Sequence, residues 1–407
     1  MERPYLKAVI TEKAERAARC GHPWVYGEEI TELSGTPTNG DIVDVLTKKG
    51  RWLGAGFYNL NSKIRIRIIS RNTNDRFDAA FFERRIRHAV DYRIAAMGED
   101  FSACRILFGE ADFFPGLTVD KFNDILVTEV LSYGMDKRKD MLYPLIVKVL
   151  SESGVIVRAI YERNEDALRD KEGLTKYKGF YRMEGLRDDL DGHVRICENG
   201  IYYDVDYING QKTGFFLDQK YNRAAAARLA KGRSVLDCCT HTGAFALNAT
   251  KAGAKKVTAL DVSQDALDMA QKNATYNGLD ESMRFIRADV FDFLTGLIES
   301  KSKDFDFIIL DPPAFTKSGA TVKNAYRGYK EINLKAMRAL PRGGYLATCS
   351  CSHLMTRELF EKMLTEASLD AGVQLKLIEA RQQGPDHPIL WGVPETNYLK
   401  FYLFQVT

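Results

Sequence analysis

The stretch Ser234-Val-Leu-Asp-Cys-Cys-Thr-His-Thr-Gly-Ala-Phe245 decides the fold of this chain. It predicts an apolar strand that ends at Asp237, a tight turn that contains Gly243, and a helix that begins at Ala244. Gly243 lets the backbone of such a turn come close to a ligand. A strand, a turn and a helix in this order are typical of the first repeat of a parallel α/β sheet.

The residues after this stretch continue the alternation. The predicted strands are Ser234–Asp237, Val257–Asp261, Arg284–Ile286, Phe305–Leu310 and Tyr345–Cys349, with closing strands at about Gln374–Glu379 and Tyr398–Val406. The predicted helices are Ala244–Ala252, Gln264–Tyr276, Val290–Glu299, Tyr329–Leu340 and Arg357–Ala371. This pattern predicts an α/β, Rossmann-like sheet of seven mostly parallel strands, whose ligands lie at the carboxyl ends of the strands.

Acidic residues stand at those ends. Asp237, Asp261 and Asp289 follow the first three strands, and Asp311-Pro-Pro-Ala-Phe315 follows the fourth. A nicotinamide enzyme needs three glycines in the first turn to admit a pyrophosphate, whereas this turn has one. Carboxylates in this order favour a nucleoside ligand without phosphates, and S-adenosyl-L-methionine is such a ligand.

The residues up to about Asn72 predict a small β-barrel of short strands. Within it, Lys63-Ile-Arg-Ile-Arg-Ile-Ile69 alternates strictly, so Lys63, Arg65 and Arg67 share one face of a strand. Nine Lys or Arg and four acids lie between Lys63 and Arg93, a local charge of +5 in a chain of net charge +3. The near-neutral total excludes a protein that binds nucleic acid over its whole surface, but the local excess indicates a basic patch.

Composition and length narrow the class of protein further. The 407 residues predict two or three domains, and the segment from about Arg105 to Arg163 has the pattern of a compact α+β domain. The N-terminal residues lack the apolar core of a signal peptide, and no run is apolar enough for a membrane span. Seven cysteines without a pairing rhythm indicate a reducing compartment, so we expect a cytoplasmic protein.

At this point the sequence resembles the class I S-adenosylmethionine-dependent methyltransferases, and within them the ribosomal RNA large subunit methyltransferase I family, over nearly the whole chain. The motifs that carry the resemblance are Gly21-His-Pro-Trp-Val25, Lys212-Thr-Gly-Phe-Phe-Leu-Asp-Gln219, the first-turn motif, Asp311-Pro-Pro-Ala-Phe315, Arg327-Gly-Tyr-Lys330 and Ser350-Cys-Ser-His-Leu-Met355. The resemblance implies a PUA-like RNA-binding barrel over residues 1–73, a small α+β domain over 74–188 and the methyltransferase domain over 189–407.

The same resemblance implies formation of 5-methylcytosine in 23S ribosomal RNA before the subunit is fully assembled, and it allows a homodimer. Carbon 5 of cytosine needs a thiolate to add at carbon 6 before it accepts a methyl group. The family's pattern gives this role to Cys351, with Asp311 acting through its carboxyl group near nitrogen 3 of the ring. Cys349 is expected to be a core residue of the strand.

The remaining expected site residues follow from the same positions. The predicted contacts to S-adenosyl-L-methionine are Phe216, Gln219, Asp237, Thr240, Gly243, Asp261, Asp289 and Asp311. The predicted contacts to RNA are Lys63, Arg65, Arg67, Pro312 and Phe315.

Two alternatives to this function stay open, and a zinc site is not among them. An Asp-Pro-Pro-aromatic motif also serves enzymes that methylate exocyclic amines, in which case Phe315 would stack on a guanine or adenine of RNA. The chain could also be a non-catalytic ribosome-assembly protein that keeps the fold. Zinc ligation by Cys349, Cys351 and His353 is disfavoured, because zinc sites gather four ligands with loop spacing.

Overall fold

The N-terminal part of the computed structural model, which describes residues 3–316 and 318–407, is a six-stranded sheet. Strands β1 to β6 are Leu6–Ile10, Trp24–Tyr26, Ile30–Leu33, Ile42–Leu46, Trp52–Tyr58 and Ile64–Ser70, in the spatial order β2-β6-β5-β4-β1-β3. Helix α1 (Glu12–Arg19), which the strand pattern did not predict, is capped by the Thr11 side chain and buries Ala14 and Ala18. Alternation places Ile66 and Ile68 in the core of this sheet.

The next part of the chain combines a second sheet with helices. Strands β7 to β11 are Ala103–Phe108, Leu117–Phe122, Ile125–Val130, Ala159–Asn164 and Tyr177–Phe180, in the order β11-β10-β9-β8-β7. Helices α2 to α5 are Ala79–Met97, Tyr133–Asp136, Lys139–Glu152 and Leu168–Glu172. The α2 helix begins after Asp78, whose carboxylate accepts a hydrogen bond from the Phe81 amide. This is the α+β pattern predicted for this segment.

The seven-stranded sheet lies in the C-terminal half of the chain. Strands β12 and β13 (His193–Glu198 and Ile201–Asp206) form a separate pair. Strands β14 to β20 are Ser234–Cys238, Lys256–Asp261, Met283–Arg287, Phe307–Leu310, Tyr345–Ser350, Leu375–Arg381 and Lys400–Val406. Their order is β16-β15-β14-β17-β18-β20-β19; the first five are parallel, and β20 runs antiparallel to both of its neighbours, β18 and β19. Helices α6 to α11 are Lys220–Ala227, Ala244–Lys251, Gln264–Tyr276, Val290–Glu299, Val322–Ala339 and Arg357–Ala371.

The predicted Rossmann-like fold is therefore confirmed, with most boundaries within two residues. The largest difference is helix α10, which begins at Val322 rather than at Tyr329. A glycine predicts a break in a helix, but Gly328 continues this one. An added Cβ at Gly328 would lie 3.1 Å from the ring of Phe315, so close packing accounts for the glycine.

The chain divides into two compact units. The first comprises the residues up to Ile196 together with Val205–Leu217 and Pro385–Thr396; the second comprises Cys197–Asp204, Asp218–Gly384 and Asn397–Thr407. The division into three domains at residues 73 and 188 stays a prediction. Within the described residues, every helix is too short or too polar to cross a bilayer.

Candidate active site

The candidate site lies at the carboxyl edge of the seven-stranded sheet, where the strand order reverses. Strand β14 pairs with β15 on one side and β17 on the other, so that Cys238 is the partner of both Leu260 and Leu310. Asp261 and Asp311 each come one residue after these partners. A crevice at such a reversal is where open α/β sheets bind their ligands.

Four predicted carboxylates converge on this edge. The side chains of Asp237, Asp261, Asp289 and Asp311 all act electrostatically on the thiol of Cys239 in the first turn. Burial and these four negative charges raise the pKa of Cys239, so the thiol stays protonated. Cys239 is therefore a packing residue of the turn rather than a nucleophile.

Asp237 is the most deeply buried of the four. Its Oδ2 atom accepts hydrogen bonds from Thr240 Oγ1 at 2.6 Å and from the Ala246 amide at 2.9 Å. Its Oδ1 atom is buried and has no hydrogen-bond partner among the described residues. Burial raises the pKa of Asp237 to about 7, and the charges of Asp311 and Asp261 add to the shift.

Asp261 and Asp289 hold the backbone at the next two strand ends. The carboxylate of Asp261 accepts from the amides of His241 and Ser263 at 2.9 and 3.0 Å. Asp289 caps helix α9, because its Oδ1 accepts from the Phe291 amide at 2.7 Å. Both aspartates thus shape the loops beside the site in addition to offering carboxylate oxygens.

Gly243 is required by the packing of the first turn. Its φ is +83°, a left-handed conformation that favours glycine. A Cβ at this position would also lie 3.0 Å from the Cβ of Ala270 on helix α8. The neighbouring helix α8 therefore accounts for a glycine at this position, and the close approach of the turn to a ligand stays a prediction.

Asp311 is oriented by a chain of side chains that sequence reasoning did not find. Gln219 Nε2 donates to Asp311 Oδ1 at 3.1 Å, and Asn222 Nδ2 donates to Gln219 Oε1 at 2.7 Å. Arg381 Nε completes the chain by donating to Asn222 Oδ1 at 3.0 Å. Burial, followed by the charge of Asp218, raises the pKa of Asp311 to about 6. Gln219, expected to contact the cofactor, is thus also a partner of the predicted acid.

The two cysteines of the fifth parallel strand have different surroundings. Cys349 is fully buried within β18, as expected of a core residue, and burial raises the pKa of its thiol. Cys351 lies just beyond the end of the strand and is partly exposed. Of the two cysteines, Cys351 is the one with surface exposed to solvent.

The loop that contains Phe315 lies next to the loop that contains Cys351. Ser352 Oγ donates to the Thr316 carbonyl at 3.2 Å and ties the two loops together. The ring of Phe315 packs on Tyr329 of α10, with ring centroids 4.5 Å apart. Pro312 is buried at the start of its loop. The second unit therefore presents a supported aromatic ring in the loop next to the partly exposed Cys351.

The residues of this edge fit S-adenosyl-L-methionine. The buried Asp237 Oδ1 and Thr242 Oγ1 atoms lack hydrogen-bond partners among the described residues, and burying such atoms unpaired is costly. A cluster of carboxylates repels phosphates but favours a ligand with hydroxyl groups and positive charge. Asp237, Asp261 and Asp289 would hold such a ligand.

The predicted RNA-contacting side chains of the first unit differ in how many hydrogen bonds and ion pairs they form within the protein. Lys63 is exposed, and Arg65 donates to the carbonyl groups of Asn59 and Leu60. Arg67 is only 13% exposed, because its guanidinium pairs with Glu110 at 2.9 Å and with Glu172 at 3.0 Å. Of the three cations, Lys63 is thus the one most available to a phosphate.

Phe216, a predicted cofactor contact, belongs to the first unit. There the Lys212 ammonium lies 5.3 Å from the centroid of its ring. Its contact with the cofactor stays a prediction.

One residue that sequence reasoning missed, Lys400, could have been found from the sequence pattern. Lys400 is the single charged residue in the apolar run Leu399-Lys-Phe-Tyr-Leu-Phe404, yet its side chain is only 6% exposed. A lysine inside an apolar strand is seldom buried without a role. By contrast, Asn222 and Arg381 are far apart in sequence, and only the fold brings them together.

Comparisons with known proteins match both ends of the chain to sequence families. A PUA-like domain matches residues 9–71, and an S-adenosylmethionine-dependent methyltransferase matches residues 176–405. A ribosomal RNA large subunit methyltransferase I from Alteromonas mediterranea is 39% identical over 403 residues, covering 98% of this chain and 99% of that protein. Proteins of the same name from Aeromonas hydrophila and Shewanella denitrificans are 41% and 42% identical; they cover 96% and 95% of this chain and 97% and 96% of their own lengths.

Solved structures share the fold over the same length. A methyltransferase from Streptococcus mutans superposes with a TM-score of 0.82 at 20% identity, covering 98% of this chain and 99% of its own. A methyltransferase solved with SAH reaches 0.83, also at 20% identity and with the same coverage. At this identity the likeness establishes the fold.

Proposed function

Because the chain belongs to the ribosomal RNA large subunit methyltransferase I family and is an S-adenosylmethionine-dependent methyltransferase, we propose that it forms 5-methylcytosine in 23S ribosomal RNA. The observation that supports this chemistry most is the position of Cys351. Cys351 is partly exposed just beyond the end of β18, at the same sheet edge as Asp311. A reachable thiol beside the cofactor edge is what carbon 5 methylation requires.

In the proposed reaction, the thiolate of Cys351 forms a bond to carbon 6 of the cytosine. The electron pair of the ring's double bond then becomes available at carbon 5, which bonds to the methyl group. The cofactor supplies that methyl group from its sulfonium. Transfer of the carbon 5 proton to water restores the double bond and expels Cys351 as a thiolate.

Asp311 assists the addition through its carboxyl group. A pKa of about 6 keeps part of this carboxyl protonated near neutral pH, so it can donate a hydrogen bond near nitrogen 3 of the cytosine. The chain Arg381–Asn222–Gln219 fixes the orientation of the carboxyl group through Oδ1. Donation toward nitrogen 3 draws electrons from carbon 6 and favours attack by the thiolate.

The proposal extends to the partner and its binding surfaces. Lys63, Arg65 and Arg67 of the PUA-like sheet, together with Pro312 and Phe315, form the proposed contacts to RNA. We keep the three domains at residues 1–73, 74–188 and 189–407, a cytoplasmic location and the possibility of a homodimer as parts of this proposal. Action before full subunit assembly belongs to it as well.

One observation favours a second candidate, methylation of an exocyclic amine of guanine or adenine. Phe315 is braced by Tyr329 and has the position of a ring that stacks on a target base. In that reaction the Asp311 carboxylate would accept a hydrogen bond from the amine, and Cys351 would take no part.

The experiment that separates these functions compares Cys351→Ala with Cys349→Ser. Tritiated methyl transfer to unmodified 23S ribosomal RNA is measured, and the methylated nucleoside is identified by mass spectrometry. We expect the wild type to form 5-methylcytidine, Cys351→Ala to lose activity by about 1000-fold or more, and Cys349→Ser to stay within about tenfold.

Each other outcome selects an alternative. Full activity of Cys351→Ala, with an N-methylated purine as product, would replace the cytosine proposal by the amine candidate. Absence of S-adenosylmethionine binding, measured by calorimetry on the wild type, would favour a non-catalytic assembly protein.

A further inference from the structure

Lys400 brings an ammonium group into the interior of the methyltransferase sheet beside Cys351. It begins strand β20, where its neighbours Leu399 and Phe401 are fully buried and its own side chain is 6% exposed. In the antiparallel ladder Lys400 pairs with Ser350, the residue before Cys351. The strand pairing with Ser350 and the hydrogen bond from Nζ to the Ser352 carbonyl therefore place the amine beside the backbone on either side of the proposed nucleophile.

The hydrogen bonds of Lys400 hold it at this place without neutralising its charge. Nζ donates to the Ser352 carbonyl at 2.5 Å and to the Tyr398 carbonyl at 2.8 Å. Among the described residues, no carboxylate forms an ion pair with Lys400 within 4 Å. A buried ammonium without a counter-charge is costly, and its third N–H remains available.

We propose that Lys400 is a positioning residue whose ammonium group stabilises Cys351 as a thiolate. The S–H bond of Cys351 breaks and its proton passes to water, which leaves a thiolate beside the ammonium and a pair with no net charge. Because Cys351 leaves the ring as a thiolate, the same pair is restored after each turnover. This inference rests on the proposed function of Cys351.

The electrostatics of the surrounding groups support the pairing. Burial lowers the pKa of Lys400 to about 8, and Cys351 is the group that opposes this shift. With a pKa of about 8, Lys400 is an ammonium near neutral pH. A thiolate on Cys351 then serves as its counter-charge.

Other titratable groups face Cys351 from neighbouring elements. Tyr329 of α10 and Cys349 of β18 both interact with it, and burial raises the pKa of each, so both are neutral near pH 8. Asp311 at the end of β17 interacts with the same two side chains and, when ionised, disfavours a thiolate. Lys400 is, among the described residues, a cation that offsets this charge.

Alkylation by iodoacetamide tests the pairing without RNA or cofactor. The rate at Cys351 is followed from pH 6 to pH 10 by peptide mapping, with the exposed Cys20 as an internal reference. The midpoint is the pH at which the alkylation rate reaches half its maximum. In the wild type we expect the midpoint for Cys351 to lie at least about one pH unit below the midpoint for Cys20. In Lys400→Met the midpoint for Cys351 should rise by about one pH unit, which makes alkylation at pH 7 about tenfold slower. Lys400→Arg keeps the low midpoint because it keeps the charge.

The control variant is Lys376→Met, which removes an exposed lysine from the neighbouring strand β19 and leaves the midpoint unchanged. An unchanged midpoint in folded Lys400→Met would overturn the inference. If Lys400→Met does not fold, a wild-type midpoint for Cys351 at or above that for Cys20 overturns it equally.

Methyl transfer by the same variants separates this inference from the proposed function. Lys400→Met should lower kcat by about tenfold at pH 7 and recover toward pH 9, where the thiol ionises unaided. A shifted alkylation midpoint together with full activity of Cys351→Ala would refute the proposed function and leave the pairing intact. If Lys400→Met keeps the alkylation midpoint of the wild type while Cys351→Ala is inactive, the proposed function would stand and the pairing of Lys400 with Cys351 would be refuted.

Discussion

The carboxyl group of Asp237 shows how a single residue couples folding to the chemistry of the site. Its pKa of about 7 means that the ligand-free protein prefers the protonated form over a wide range of pH. The unfolded chain, with a pKa near 3.8, is ionised over most of that range. The stability that this group contributes is therefore full below about pH 4 and is lost as the pH rises through about 7.

Replacement of Asp237 by Asn removes this dependence. Relative to the wild type, the ligand-free variant should gain about 2 to 3 kcal/mol in its free energy of unfolding between pH 5 and pH 8. Urea denaturation at the two values measures the difference. Asp304→Asn, which changes an exposed carboxylate of the same unit, is the control and should follow the wild type. Parallel curves for wild type and Asp237→Asn would show that the carboxyl is not protonated in the folded state.

The convergence of the strand-end aspartates could be predicted from the sequence, because a parallel sheet brings the carboxyl ends of its strands to one edge. That geometry explains why Asp237, Asp261 and Asp311 meet. The partners that orient them could not be predicted, since Asn222 and Arg381 belong to a helix and a strand 159 residues apart. Their contact depends on tertiary packing rather than on any local pattern.

At the scale of elements, two glycines differ in the space around them. A Cβ on Gly56 of β5 would lie 2.2 Å from the carbonyl oxygen of Arg67 on β6. Gly296 in helix α9 is exposed, and an added Cβ would meet nothing within 4 Å. The same substitution should therefore have opposite effects at the two positions.

Gly296→Ala should stabilise the protein by about 0.5 to 1 kcal/mol, because alanine has the higher helix propensity and restricts the unfolded chain. Gly56→Ala should destabilise it by several kcal/mol, because backbone of β6 must move. Urea midpoints measure both changes. A stabilised Gly56→Ala would contradict the described pairing of β5 and β6.

Helix boundaries could be predicted from the sequence where a capping residue marks the start of the helix. The pattern predicted helices α8, α9 and α11 with both ends correct, because each begins after a capping residue, Ser263, Asp289 or Thr356. Helix α10 has no side-chain cap at its N-terminus, and Gly328 interrupts its pattern. The sequence therefore lacked the signal that would have placed its start at Val322.

At the scale of the whole molecule, net charge does not show which basic side chains are available to bind RNA phosphates. The +3 total coexists with a +5 segment, but part of that segment is neutralised within the fold. Arg67 pairs with two glutamates and Arg87 pairs with Glu83 and Glu152. Counting charges along the sequence could not reveal these pairs, since most of the acids lie far away in the chain.

Substitutions in strand β6 and just before it separate the two kinds of cation. Lys63→Gln should weaken binding to 23S ribosomal RNA and reduce the slope of log affinity against log salt by about 1, because one phosphate contact is lost. Arg67→Gln should instead lower the thermal midpoint, since it leaves Glu110 and Glu172 without their partner. Filter binding at several salt concentrations and thermal denaturation measure these effects. An unchanged salt slope for Lys63→Gln would remove this residue from the RNA surface.

The central claim is that Cys351 bonds covalently to carbon 6 of a cytosine, and an RNA containing 5-azacytidine tests it most directly. The ring nitrogen at position 5 has no proton to lose after methylation, so the enzyme cannot be expelled. We expect wild type and Cys349→Ser to form a complex that survives denaturing electrophoresis, and Cys351→Ser to form none. A wild type that methylates ribosomal RNA yet forms no such complex, or a complex that persists in Cys351→Ser, would contradict the claim.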